Sequence, residues 1–279
     1  MRSANSVTQP DQWQWLLIIL ALTYLGVVLL LPAGVVFHAA FQEGIGAFFA
    51  SLHSHAFRQA THLTLIVTAI ALPLNTLFGL CAAWVIARNQ FRGRTLLLSI
   101  IDLPFSISPV VAGLMLVLLY GDRIGWFSPL LASLGIKIIF ALPGIVLATV
   151  FVTLPFVARE VIPVLEDLGP EPEEAARTLG ANSWQIFRRV ILPHIRWGLL
   201  YGILLTNARA LGEFGAVAVV SGNILGRTAT LPIFVEQSYQ NYQSVAAFSA
   251  AVVLAGLAIL TLIGKGILEH YFLKKTPSS

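Results

Sequence analysis

The sequence predicts an all-α, polytopic membrane protein with six transmembrane helices. Two observations carry that expectation. Hydrophobic residues make up 57% of the 279 and charged residues only 11%, with a mean hydropathy of +0.83. Soluble domains carry about 25% charged residues, so this composition cannot keep a water-facing surface polar. In addition, six apolar runs reach the roughly 20 residues needed to cross the hydrocarbon core: 15–40, 61–87, 95–120, 138–163, 195–222 and 244–272. These runs are too long for barrel strands and do not alternate. The length suits one helical domain over 15–272, flanked by polar tails at 1–14 and 273–279.

Orientation follows from Lys and Arg. With both termini cytoplasmic, twelve fall inside (Arg2, Arg88, Arg92, Arg94, Arg159, Arg177, Arg188, Arg189, Arg196, Lys265, Lys274, Lys275) and four outside (Arg58, Arg123, Lys137, Arg227), while Arg209 lies within a span. That asymmetry puts both ends in the cytoplasm. The overall positive balance, 17 against 13, is small and suggests no nucleic-acid partner.

The first run follows the polar and then aromatic "MRSANSVTQPDQWQW". It is too long for a signal-peptide core and lacks a small-residue cleavage site, so it reads as an uncleaved span with Trp13 and Trp15 at the interface. The second run contains Pro73 and the single Cys81, read as a small core residue. His53, His55 and His62 come close together around the loop before it, without metal-ligand spacing. The third, "IDLPFSISPVVAGL", combines Asp102, Pro104, Ser106, Ser108 and Pro109. It is either a kinked packing helix or a bent one lining a polar path, since proline is tolerated in a span where neighbours or cavity water satisfy the freed carbonyls. Pro155 interrupts the fourth run.

Residues 164–194 form the one long cytoplasmic loop, "VLEDLGPEPEEAARTLGANSWQIFRRVILPH". Pro170 and Pro172 with Glu171, Glu173 and Glu174 suit a helix N-terminus. Gly180 suits a C′ position of positive φ, and Asn182 or Ser183 can cap a second helix that Pro193 is expected to end. Physically, such a loop could rest on lipid headgroups through Arg188 and Arg189.

The fifth run holds "ARALGEFGAVAVVSG", with Arg209 and Glu213 four residues apart among Gly212, Gly215 and Gly222. On a helix the two charges share a face. Each intramembrane charge costs about 2.5–3.5 kcal/mol on insertion scales, so neither should be idle. They form either a structural or gating pair, or a group in which Arg209 touches an anion. The glycines suit close helix packing.

Glu174-Ala175-Ala176, three residues, Gly180, nine residues, Val190, one residue and Leu192-Pro193 resemble the EAA motif of ABC importer permeases, Val190 replacing its isoleucine. "FRGRTLLLSIIDLPFSISPVVAGL", "FVTLPFVARE", "ILPHIRWGLLYGILLTNARALGEFGAVAVVSGNI" and "TATLPIF" extend the resemblance to the W-type subunits of sulfate/thiosulfate permeases, from about residue 60 onward. T-type subunits and molybdate or tungstate permeases share the "LGEFG" core, so molybdate or tungstate is the rival cargo. The resemblance implies the type I (MetI-like) permease fold in a bacterial inner membrane. It implies a T-type companion, two ATPase subunits and an extracytoplasmic sulfate-binding protein. Glu174, Ala175, Ala176, Gly180, Val190, Leu192 and Pro193 would couple to the ATPase. Because the chain lacks a P-loop, ATP and Mg would be held by that partner, with no cofactor on this chain.

For the translocation path or gate, Arg209, Glu213, Asn207, Ser221, Asp102, Ser106 and Ser108 supply the candidate charges and donors. Asp102, an acid, is expected to pair with Arg209 or with a cytoplasmic-side arginine rather than touch an anion. No metalloprotease or nucleophile-elbow pattern supports an enzyme, and the absence of an internal repeat together with the EAA-like loop argues against an ATPase-independent transporter or channel.

Overall fold

A computed structural model describes residues 12–123 and 125–273, all of whose regular structure is helical. Most of the polar tails, with Arg2, Lys274 and Lys275, lies outside the described residues. Four helices are long and apolar enough to cross a membrane unbroken: Trp13–Ala40, His55–Arg88, Leu142–Leu168 and Ser244–Gly264. Two further spans are bent pairs, Arg94–Ser106 with Pro109–Tyr120 at 110° and Ser183–Leu211 with Gly215–Ser221 at 52°. The six apolar runs are thus all present; the third is bent, as its prolines led one to expect, while the fifth is broken where a continuous run was expected.

The break in the third span has a local cause. A proline disfavours the α region for the residue before it, and its own ring removes an N–H donor. Ser108, preceding Pro109, is extended (ψ 134°), as is Ile107 (ψ 131°). Two extended residues in succession turn the chain, and Pro109 then starts a new helix in a position where its missing N–H costs nothing. Pro73, Pro155 and Pro163 lie within helices or at a helix start and leave the second and fourth spans continuous.

The first span is exposed along most of its length in the isolated chain, Trp13 and Trp15 included, and becomes buried at Ala40. The second, fourth and fifth spans form the centre. A Cβ on Gly79 would sit 2.6 Å from Val157 Cβ, and one on Gly202 would sit 2.8 Å from Val157 Cα. Glycine therefore lets both neighbours close on the same point of the fourth span. Asn75, fully buried, donates its amide to Val150 O (3.1 Å) and Thr153 Oγ1 (2.6 Å), fixing the register of spans two and four. Cys81 is exposed, which corrects the core reading. The buried face of its helix runs through Ala71, Asn75, Gly79, Ala82, Ala83 and Ile86, and residue 81 falls off that stripe.

Three apolar cores form among the described residues, the smallest of Phe57, Ala60, Leu231, Phe234 and Ala250, and the two larger ones stack along the bundle. The core at the end carrying the 164–194 loop contains Ala83, Ile86, Ile101, Val161, Leu165, Ile186, Ile191 and Ile195. The core at the far end contains Val67, Ile139, Ile145, Val152, Val217, Val220 and Ile233. The short helix Leu231–Gln240 closes that far end, burying Leu231, Ile233 and Phe234. Its ten residues are too few to register as a span.

Candidate functional site

The first group of predicted residues sits in the loop. Glu171–Thr178 is helical, with Glu171, Glu173 and Glu174 in its first turn, where acids meet the positive dipole end. Its C-terminus is a Schellman turn. Ala181 N–H donates to Ala176 O (3.0 Å) and Gly180 N–H to Arg177 O (2.9 Å), with Gly180 at φ +81°. Asn182, rather than Ser183, then caps the next helix in a capping box. Its Oδ1 accepts from Gln185 N–H (2.8 Å), and Gln185 Oε1 accepts from Asn182 N–H (2.9 Å).

Pro193 does not end that helix, contrary to expectation. A π turn over Phe187–Ile191, closed by Leu192 N–H to Phe187 O, precedes it. The wider turn moves the backbone away from the proline ring, so the helix runs on into the fifth span.

What holds the loop helix was not legible in its motif. Glu173, buried, meets Arg88 Nε at 2.6 Å, and Arg88 Nη1 donates to Leu165 O at 2.6 Å. Arg94 pairs with Glu166 and donates Nε–H to Ile86 O (3.0 Å). The two arginines tie the loop to the ends of spans two and four. Ala176, Val190 and Leu192 pack on the loop-end core. Glu174, Ala175, Gly180 and Pro193 remain exposed, as do the side chains of Leu179 (88% exposed) and Trp184. The motif thus divides into residues facing inward and residues forming an open face.

The second group surrounds the two breaks. Arg209 Nη1 lies 2.7 Å from Glu213 Oε2, so the predicted pair forms, although the helix ends at Leu211 between them. Glu213 Oε1 accepts the N–H of Ala216 (2.9 Å) and so satisfies a free donor in the first turn of Gly215–Ser221. The Glu213 side chain is 1% exposed and that of Arg209 34%. Behind the carboxylate lies a cavity of about 10 Å³ lined by residues including Thr64, Thr149 and Thr230. That volume is on the order of a single water. Of the pair, the arginine alone presents an accessible face.

The two breaks abut. A Cβ on Gly215 would sit 2.9 Å from Pro109 Cβ, and one on Gly113 would sit 2.8 Å from Ala216 O. The second halves of the third and fifth spans are therefore packed backbone to backbone. Ser106 and Ser108 lie exposed at the third-span break, and neither hydroxyl caps the helix that follows. Asn207 Nδ2 approaches Thr261 Oγ1 of the sixth span at 3.4 Å. Ser221 is fully buried, its hydroxyl accepting Asn223 N–H (3.1 Å) in the turn beyond the helix.

Asp102 pairs not with Arg209 but with Arg159, in a two-pronged fork: Nε to Oδ1 and Nη2 to Oδ2, both 2.8 Å. The guanidinium also lies over the Phe105 ring, 5.0 Å from its centroid. Arg159 was counted among the cytoplasmic-side arginines, the second of the two partners expected for Asp102. Arg88, Glu173 and Arg159 are the site residues that the motifs did not single out. Their partners lie 57 and 85 residues away in sequence, and only packing brings them together.

Residues 75–271 match the family of binding-protein-dependent transport system inner membrane components. The chain is 68% identical over 257 residues to the sulfate transport system permease protein CysW of Synechocystis sp., covering 92% of this chain and 93% of that one. It is 38% identical over 242 residues to the sulfate transport system permease protein CysT of Escherichia coli (strain K12), covering 86% and 87%. Its fold is similar to that of a chain in a bacterial alginate ABC transporter complexed with an alginate pentasaccharide-bound periplasmic protein. That match has a TM-score of 0.78 and 18% identity, covering 93% of this chain and 95% of that one.

Proposed function

The chain belongs to the family of binding-protein-dependent transport system inner membrane components, and from that premise we propose that it is the W-type permease subunit of an ATP-driven sulfate/thiosulfate importer. The observation that carries the reading is identity to a W-type sulfate permease of 68% across 92% of the chain, against 38% to a T-type one. In this reading the subunit is a conduit without catalysis of its own. ATP and Mg belong to two partner ATPases, a T-type subunit completes the pathway, and an extracytoplasmic binding protein delivers the anion.

The bias of Lys and Arg supports a cytoplasmic location for the 164–194 loop and for both termini. The exposed face of Glu174, Ala175, Leu179 and Trp184 suits docking into an ATPase, since small and apolar groups allow close, dry approach. Motion of the ATPases would reach the loop helix through that face and pass along the helix continuing into the fifth span. The pathway would then open alternately to either side. Arg209, its charge countered by Glu213 at 2.7 Å, could give an oxyanion a forked contact without trapping it.

Uptake of labelled sulfate by the complete reconstituted complex, competed with thiosulfate, molybdate and phosphate, tests the cargo. Uptake abolished by trace molybdate yet indifferent to thiosulfate would overturn it in favour of a molybdate or tungstate importer. Replacing Gly180, at φ +81°, with valine tests the coupling role. A branched residue there strains the turn by about 1–2 kcal/mol or more, and ATP-driven uptake should fall while the spans stay inserted. Undiminished uptake would remove the coupling assignment.

A further inference from the structure

A cavity of about 440 Å³ opens at the end of the second span opposite the loop, lined by His55, Arg58, Gln59, His62, Leu63, Ile66, Gly226 and Arg227. Its lining contains two arginines and two histidines and no carboxylate. Residues 55, 58, 59 and 62 recur at helical spacing, so they form one polar stripe on the first two turns of the span. Neither Arg58 nor Arg227 is in an ion pair among the described residues. By the charge distribution only four Lys or Arg residues lie on this side of the membrane, where the positive-inside bias makes them scarce. Two of those four line this one cavity.

The wall facing that stripe is built rather than accidental. Arg227 reaches the stripe from the turn joining Gly215–Ser221 to Leu231–Gln240, and that turn is pinned at several points. Thr228 Oγ1 donates to Ser221 O (2.6 Å), Arg227 N–H to Ile224 O (3.1 Å), and Gln237 Nε2 to Asn223 O (2.7 Å). Leu231 N–H donates to Thr64 Oγ1 (2.8 Å), fixing the end of the turn to the second span itself. Gly226, at φ +75°, brings the turn so close that a Cβ would sit 2.9 Å from Gln59 Oε1. Gln59 Nε2 in turn lies 3.1 Å from His55 Nε2, which orders the stripe.

Resting on the importer reading above, we propose that this cavity is an oxyanion-binding vestibule, a first station for a tetrahedral dianion of the sulfate class before it enters the span. A hydrated dianion needs donors that replace water, and two guanidinium groups supply forked, charge-assisted hydrogen bonds. The imidazole groups of His55 and His62 add further hydrogen-bond donors to the same lining. The concave shape favours a small ion over the flat surface of a protein partner. A site open to solvent at the far end keeps the dianion hydrated on one side and so releases it readily.

The test uses the complete importer in vesicles of zwitterionic lipid, with labelled sulfate delivered by its binding protein. Arg58→Gln and Arg227→Gln should each raise the apparent KM for uptake about tenfold, as expected for loss of one charged hydrogen bond, with a larger rise in the double variant. Arg58→Lys and Arg227→Lys should recover most of that loss. Arg123→Gln and Lys137→Gln, which remove the other two cations on that side, should leave KM within about twofold of the parent, since screening makes distant charges weak.

A double Gln variant with unchanged KM overturns the proposal. So does an equal rise in the Arg123 and Lys137 variants, which would reduce the effect to general surface charge. Weakened association of the binding protein, measured separately, would make the cavity a protein-docking surface instead. A defect seen only in vesicles of anionic lipid would make it a headgroup site. If the parent complex takes up molybdate but not sulfate, the cargo reading fails, and the same variants are then scored with the anion it carries.

Discussion

The third and fifth spans both break, and their second halves pack against each other, yet the breaks are built on different principles. At Ile107–Ser108 the chain is bent 110° by a proline, and the hydroxyls beside it stay exposed and uncommitted. At Gly212–Phe214 the bend is 52° and no proline is present. There a buried carboxylate does two jobs, meeting Arg209 and accepting the Ala216 N–H. The charges beside the first break, Asp102 and Arg159, form an exposed fork. One break is fixed by covalent geometry and leaves its polar groups free. The other is fixed by a polar contact whose loss would unmake it. A break of the first kind can line a path without changing shape, whereas one of the second kind can respond to charge.

The sharpest way to break this contrast is Glu213→Ala. It removes the acceptor of Ala216 N–H and strands Arg209, so a loss of about 3–5 kcal/mol is expected, read as a collapse in thermal stability of the detergent-solubilised protein. Glu213→Gln keeps an acceptor and should lose less. Next in size is Gly113→Ala, whose Cβ would meet backbone at 2.8 Å. Overpacking there should cost about 1–3 kcal/mol by the same measurement, and a neutral result would show that the two half-helices separate freely.

Asp102→Asn should cost only about 1 kcal/mol if the exposed fork faces water. A loss of several kcal/mol would place it against lipid or a partner. Exchanging the two charges, Asp102→Arg with Arg159→Asp, should restore whatever either single change removes. Smallest is Ser108→Ala, expected within about 0.5 kcal/mol of the parent because its hydroxyl caps nothing. A transport defect without a stability defect would then assign that hydroxyl to the anion.

Much of this was legible because it is local. Apolar run length marks all six spans, Pro109 marks the third-span bend, and Gly180 and Asn182 mark the loop's turn and cap. The fifth-span break was not legible, because residues 195–222 form an apolar run with no internal proline and the deciding interaction is a side chain turned back onto the backbone. Cys81 was misplaced because residues 77–86 around it are apolar on every side of the helix, which gives no sign of which stripe faces protein and which faces lipid. The anchoring of Glu173 by Arg88 depends on contacts across 85 positions, which no local pattern reports. Pro193 misled because a proline usually stops a helix, and the π turn that admits it leaves no fixed signature in composition.

That π turn has a mechanical consequence. Because the helix does not stop at Pro193, Ser183–Leu211 is a single rod, on the order of 40 Å long at 1.5 Å per residue. A tilt of about 10° at its outer end would sweep the opposite end through roughly 7 Å. From Leu192 to Leu211 the helix is regular, and its next interruption is Gly212. Movement passed along the rod therefore arrives at a break fastened by the carboxylate of Glu213.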